Sequence, residues 1–315
     1  MPTIQALILF IVGLCLVIYF AEKLVKAVVG TSLGFGISAF LLSVIFIGFD
    51  PENLFVGSVG SFEQVAGIAL GSIIGASMVA VALAFGITAI FVPMEFTSVS
   101  WKVLVVPVAA ICLMFILCLN GELSRRDGAI LLAGFGLSVL YLLRQTKRGF
   151  DIAGSGEIAE FLEKPEKMDR WKSVILLAVS LVAIIAGSEM LVRGSEGIIS
   201  WLGFSDTVFG MTILAFLISI EELARELPAA LRGRVEISFG NVVGSILAFF
   251  LFNAGIIALV RPVPVNKQIL LFYLPVVFVT TLIVCGFVLT RKVGRVAGVI
   301  LIALYGIFVF GGYFL

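Results

Sequence analysis

Long apolar runs, each separated by a few polar residues, dominate this chain. They lie near residues 4–28, 36–50, 51–62, 66–92, 101–119, 127–144, 173–198, 205–220, 221–231, 237–260, 268–290 and 293–314. A helix crossing about 30 Å of hydrocarbon needs about 20 apolar residues, so most of these runs are long enough to span. Two pairs of shorter runs read as halves of broken spans, one interrupted at Pro51 and the other at Glu221. Proline removes a backbone donor and clashes with the preceding turn, so a helix is expected to break at Pro51 and free carbonyls there. With each broken pair taken as one span, the pattern predicts an all-α integral membrane protein of ten transmembrane helices.

Composition agrees. Of 315 residues, 61% are hydrophobic and 13% charged, where a soluble domain carries about a quarter. The net charge of +1 suggests no nucleic-acid partner. Cys15, Cys112, Cys118 and Cys285 lie in apolar runs without metal-type spacing and read as packing residues. The first run lacks a basic leader and a small-residue cleavage pattern, and is read as a span. Histidine is absent, so proton chemistry falls to carboxylates.

Basic residues set an orientation. Arg125, Arg126, Arg193, Arg261 and Lys267 fall on one side, and the other sixteen of the 21 Lys and Arg on the opposite side. The richer side is cytoplasmic by the positive-inside rule. An even number of spans then puts both termini outside, and the expected location is the cell membrane. Residues 145–172 are polar and mixed in charge and read as a cytoplasmic linker with a short surface helix over 157–164.

The segments on either side of that linker, 1–144 and 173–315, echo one another. Leu33-Gly34-Phe35 returns as Leu202-Gly203-Phe204, 169 residues on, and Glu22-Lys23-Leu24-Val25-Lys26 as Glu189-Met190-Leu191-Val192-Arg193, 167 on. Gly71-Ser72-Ile73-Ile74-Gly75-Ala76 returns as Gly240-Asn241-Val242-Val243-Gly244-Ser245, again 169 on. Each copy has five spans, an odd number, so the second enters the membrane from the opposite side. Inverted repeats with broken helices place a binding site near the midplane.

Candidate chemistry sits at those breaks. Asp50 and Glu52 flank Pro51 between the charge-free stretches Leu41–Phe49 and Leu54–Gly60. Glu221 and Glu222 end a run that carries no charge from Thr207 to Ile220. A carboxylate at the bilayer centre costs roughly 2.5–3.5 kcal/mol on insertion scales, so something cationic must stabilise it. Two acids facing each other from opposite halves suit a hard divalent cation, which takes six or more oxygens. Glu52 and Glu222 rank first as ligands, Asn241 next, then Asp50, Glu221 and Ser72. Arg225 stands at helical pairing distance from both Glu221 and Glu222, and Glu226 is expected to be solvated at the cytoplasmic face.

These motifs resemble the calcium/cation antiporter superfamily. Phe209-Gly210-Met211-Thr212-Ile213-Leu214-Ala215-Phe216, Ser219-Ile220-Glu221-Glu222-Leu223 and the Gly240–Ser245 motif follow, in order, that family's Ala-Phe-Gly-Thr-Ser-Leu-Pro-Glu and Gly-Asn-x-x-Gly-Ser patterns. Pro51-Glu52 and Gly71–Ala76 match them less closely. The resemblance implies ten spans in two inverted halves, central glutamates at Glu52 and Glu222, the Asn positions at Ser72 and Asn241, and the Ser positions at Ala76 and Ser245, so Ser245 joins the candidates. It also implies Ca2+ as the transported substrate, with no permanently bound cofactor. The hydroxyls that help bind sodium in the family are mostly replaced here, by Ile47-Gly48-Phe49 and Leu217-Ile218-Ser219. The family's proline before the second glutamate is Glu221.

The expected function is therefore a secondary antiporter, not an enzyme, that exchanges Ca2+ or a related divalent cation for protons across the lipid bilayer. Sodium is the alternative counter-ion and a passive channel a more distant one. An intramembrane aspartyl protease would need two deep aspartates, and Asp50 stands alone among glutamates.

Overall fold

The computed structural model describes residues 3–35, 49–96, 101–146, 170–233 and 235–314. The expected span over 36–50 lies outside them except at its end, as does most of the 145–172 linker with its 157–164 helix. In chain order the helices are α1 (Thr3–Gly34), α2 (Pro51–Phe62), α3 (Ala66–Phe91), α4 (Trp101–Cys118), α5 (Arg125–Thr146), α6 (Arg170–Leu202), α7 (Asp206–Ser219), α8 (Glu221–Leu231), α9 (235–260), α10 (Ile269–Leu289) and α11 (Arg295–Gly311). Seven of these are long and apolar enough to cross a membrane, or eight with the bent pair α7–α8 counted as one. The protein is an all-α membrane protein.

Burial separates an inner pair from an outer pair. In α3 and α9 83% of the most apolar window is buried, against 28% in α1 and α6. The inner helices therefore face protein on nearly all sides, whereas α1 and α6 leave apolar side chains such as Ile4, Ile8, Val179 and Val182 exposed. That is the expected pattern for a helix with one face on lipid. α1 and α6 pack along each other, with Gly13, Gly187 and Gly194 at the crossing. Both run longer than the predicted spans, which end at residue 28 and begin at 173, because the flanking polar residues continue the helix beyond the apolar run.

α3 and α7 cross closely. A Cβ on Gly71 would strike the backbone of Gly210, and one on Gly210 would strike the carbonyl of Gly67. Only glycine permits this approach, which holds α7 against the core. Asp206 at the start of α7 locks the crossing, its Oδ2 accepting from the Gly67 amide at 2.9 Å. Both inner helices contain a π-helical turn, Val79–Ala84 in α3 and Ala248–Asn253 in α9. Such wide turns interrupt the regular backbone ladder and recur at functional sites.

Among the described residues, four two-residue strands tie helix ends together. β1 (Met94–Glu95) pairs antiparallel with β4 (Lys292–Val293), and β2 (Glu122–Leu123) with β3 (Val263–Pro264). The apolar run pattern contained no sign of these ribbons. The cysteines are free, with Cys118 and Cys285 buried and Cys15 exposed.

Candidate cation site

The site forms where α2 and α8 begin. Pro51 is the first residue of α2, where its missing N–H would be unsatisfied in any case. Asp50 is the N-cap in extended conformation, its Oδ1 accepting from the Asn53 amide at 2.9 Å. The Asn53 side chain then donates to Asp50 Oδ2 at 2.9 Å and to Ser219 Oγ at 2.9 Å. Asn53 thereby joins the first break to the second, 166 residues away along the chain.

The second break needs no proline. α7 ends at Ser219, and the chain bends by 49° before α8 starts at Glu221. Glu221 and Glu222 occupy the first turn of α8 as Glu52 occupies the first turn of α2. The positive end of each helix dipole favours carboxylates there. α8 turns its polar face inward: Glu222, Glu226 and Ala230 are buried at successive four-residue steps, whereas Ile220 and Leu231 are exposed.

Carboxylate oxygens of Asp50, Glu52 and Glu221 lie within 4.8 Å of one another. Glu222 follows Glu221 on α8 and is held from α9. Asn241 Nδ2 donates to its Oε2 at 2.8 Å and Ser245 Oγ to its Oε1 at 3.3 Å. Asp50, Glu52 and Glu222 are each 1% exposed. Arg225 pairs with Glu221 at 2.7 Å and with Glu222 at 3.5 Å, so the one guanidinium serves both acids.

Of the seven sequence candidates, Asp50, Glu52 and Glu221 meet in one acid cluster, and Glu222, Asn241 and Ser245 form a hydrogen-bonded group linked to Glu221 through Arg225. Ser72 is placed differently. Its hydroxyl donates to the Ala69 carbonyl at 2.8 Å and lies against Gly57, the arrangement of a packing residue. Glu226 corrects the sequence reading outright. It is 0% exposed, with Asn241 Nδ2 at 3.4 Å from its Oε1, because it follows Glu222 by one turn on the same inward face. Asn53 and Ser219 were also missed. The Asp-x-x-Asn spacing across Pro51 was the available signal for Asn53, since a capping aspartate meets the third helical residue.

Asp50, Glu52, Glu222 and Glu226 are thus buried and Glu221 is half-buried, and Arg225 pairs with Glu221 and Glu222 among the described contacts. Uncompensated charges at that depth are strongly destabilising, so the arrangement can only be kept by cations, protons or both. An oxygen-rich, acid-rich centre between broken helices of a membrane protein defines a cation transporter.

Comparison with known proteins agrees with that class and refines it. The chain belongs to the sodium/calcium exchanger protein family, whose model matches residues 5–144 and 172–314, and so to the calcium/cation antiporter superfamily. It is 27% identical to the putative antiporter CaxA of Alkalimonas amylolytica over 264 residues, covering 82% of this chain and 81% of that one. It is 26% identical to the sodium/calcium exchanger MaX1 of Methanosarcina acetivorans over 342 residues, covering 97% of each. Among solved structures, the sodium-calcium exchanger NCX_Mj superposes with a TM-score of 0.60 at 26% identity over 97% of both chains.

Proposed function

We propose that this protein is a secondary antiporter that exchanges Ca2+ for protons across the cell membrane by alternating access, with Asp50, Glu52, Glu221, Glu222, Asn241 and Ser245 around the transported ion. The observation that carries this reading is the convergence of buried carboxylates from two helix breaks on one centre. A divalent cation there replaces its hydration shell with carboxylate, amide and hydroxyl oxygens. Protons on the same carboxylates exclude the cation, and that competition is what couples the two fluxes. Asn241 and Ser245 position Glu222 from α9, and Asn53 positions Asp50. Ca2+ is substrate, and no permanently bound cofactor enters the scheme.

Alternating access follows from an architecture of ten spans in two inverted halves, 1–144 and 173–315, joined by the 145–172 linker. Several contacts support it. Met94 and Val263 are 169 apart, as are Leu123 and Lys292, so each small ribbon has the other as its counterpart. The π-helical turns of α3 and α9 start at Val79 and Ala248, again 169 apart. The family model likewise matches in two segments, before and after the linker. In this reading both termini are outside and the linker is cytoplasmic.

A second reading takes sodium as the counter-ion. It is favoured by MaX1 and NCX_Mj, which are named as sodium/calcium exchangers, and by Ser219, a buried hydroxyl retained at the centre. Calcium uptake into proteoliposomes at clamped voltage separates the two. Uptake driven by a pH gradient without sodium supports proton exchange, and uptake that needs a sodium gradient establishes the second reading. Uptake indifferent to both gradients overturns antiport.

A further inference from the structure

We infer that the groove between α2, α6 and α9 holds one acyl chain of a membrane phospholipid whose headgroup carries a primary ammonium, as phosphatidylethanolamine does. The groove has a volume of about 510 Å3, within the roughly 300–1,000 Å3 of small-ligand pockets. α2 lines it from Leu54 to Glu63, α6 through Ile185 and Glu189, and α9 through Ile256 and Val260. All three helices run toward the same membrane face. α6 leads through a short turn to Asp206, whose carboxylate accepts from the Gly67 amide just beyond the end of α2. The Ser61 hydroxyl on α2 donates to the carbonyls of Ile257 and Arg261 at the end of α9, at 3.2 and 2.8 Å. The apolar lining therefore lies deep, and both acids lie at the mouth.

Depth and chemistry both select a lipid. Leu54 to Glu63 rise about 14 Å along α2, close to half of the roughly 30 Å hydrocarbon core, so the groove is one leaflet deep. Ile185 on its α6 wall is 47% exposed, on the helix that turns Val179 and Val182 outward, so a chain can enter sideways from the bilayer. Below the mouth the lining offers a polar ligand one hydroxyl, that of Ser58. At the mouth Glu63 has no ion pair among the described residues, and Glu189 pairs with Arg193 at 2.6 Å. That exposed pair contributes little and can rearrange around a headgroup. A primary ammonium donates up to three hydrogen bonds, which suits the two carboxylates, and the phosphate next to it takes Arg193. A choline headgroup has no N–H to donate and binds through an aromatic cage, whereas Phe55 and Phe62 stand about two turns apart on α2. An anionic headgroup without an amine meets both acids unfavourably. The inner end of the chain reaches Leu54, two residues beyond Glu52, so the lipid packs against the first turn of α2.

Native mass spectrometry of the full-length protein in detergent tests this, with palmitoyl-oleoyl lipids that carry ethanolamine, choline or glycerol headgroups titrated separately. The expected result is one retained ethanolamine lipid, bound about tenfold more tightly than either of the others. The double variant Glu63→Gln, Glu189→Gln is expected to lower ethanolamine-lipid affinity to that of the choline lipid. These acids are partly exposed, so the double variant is expected to keep the parent's midpoint of thermal unfolding. Val59→Trp places an indole in the groove wall and is expected to reduce retention of all three lipids. Equal affinity for the three lipids in the parent, or a preference for ethanolamine that survives in the double variant, overturns the headgroup assignment. Retention unchanged in a folded Val59→Trp variant overturns the groove as the site. Slowed calcium uptake by a double variant whose lipid retention is unchanged assigns the two acids to an ion path and overturns the lipid site.

Discussion

Arg225 offers the sharpest test of how charge is arranged at the centre. Its guanidinium lies 3.5 Å from Glu222 Oε1 and 2.7 Å from Glu221 Oε1, so it competes with any ion for the same carboxylates. An ion bound about 2.4 Å from the far side of Glu222 would sit about 6 Å from that nitrogen. At an effective dielectric of about 20 the repulsion between unit charges at that distance is roughly 2.8 kcal/mol, and about half that at twice the dielectric. The Arg225 side chain is 13% exposed, so solvent screening places the relevant value toward the lower figure. A divalent ion feels more than a unit charge, but relaxation of the freed carboxylates offsets part of the gain. Arg225→Gln is therefore expected to tighten calcium binding about tenfold, with turnover slowed because release becomes harder. Calorimetric titration of calcium into the purified variant measures this directly. Unchanged or weaker binding in a folded variant would refute the competition between Arg225 and the ion.

Other perturbations probe the remaining parts. Glu52→Gln and Glu222→Gln should each reduce calcium uptake into proteoliposomes by about 100-fold or more, since a buried charge removed from a divalent site leaves the ion uncompensated; normal uptake in either would remove that residue from the site. Asn53→Leu deletes hydrogen bonds to Asp50 and Ser219, one of them to a charged group, and should cost about 2–4 kcal/mol, seen as a lower midpoint of thermal unfolding in detergent. Gly71→Val should prevent stable folding by driving a side chain into Gly210, whereas Ser72→Ala should leave calcium affinity within about twofold, because Ser72 bonds only its own helix among the described contacts.

Much of this architecture was legible in the apolar runs. Span positions follow from length and hydropathy, and Pro51 marked the start of α2 because proline is tolerated there and hardly anywhere else in a helix. The glycine motif at Gly71 and Gly75 announced close packing through its spacing alone. What escaped notice did so for physical reasons. Glu226 looked like an interfacial acid because it sits among Glu221, Arg225 and Arg232, and a polar helical face ordinarily faces water. α8 reverses that rule by exposing Leu231 and burying Glu222 and Glu226. The bend at Ile220 carries no proline, and its place was legible only from the charge that begins at Glu221. Asn53 was overlooked beside two carboxylates, although its amide links the halves of the site. The short strands lie in polar connections, where periodicity carries no information.

The central claim is that one buried acid cluster is exposed to each side of the membrane in turn, and calcium-for-calcium exchange tests it most directly. Proteoliposomes loaded with radiolabelled calcium are diluted into medium with or without calcium, at constant pH and sodium and with the voltage clamped. The account predicts that external calcium accelerates efflux in a saturable way and that Glu222→Gln eliminates the acceleration. Fast efflux into calcium-free medium, unaffected by added calcium, would contradict alternating access and mark the protein as a channel.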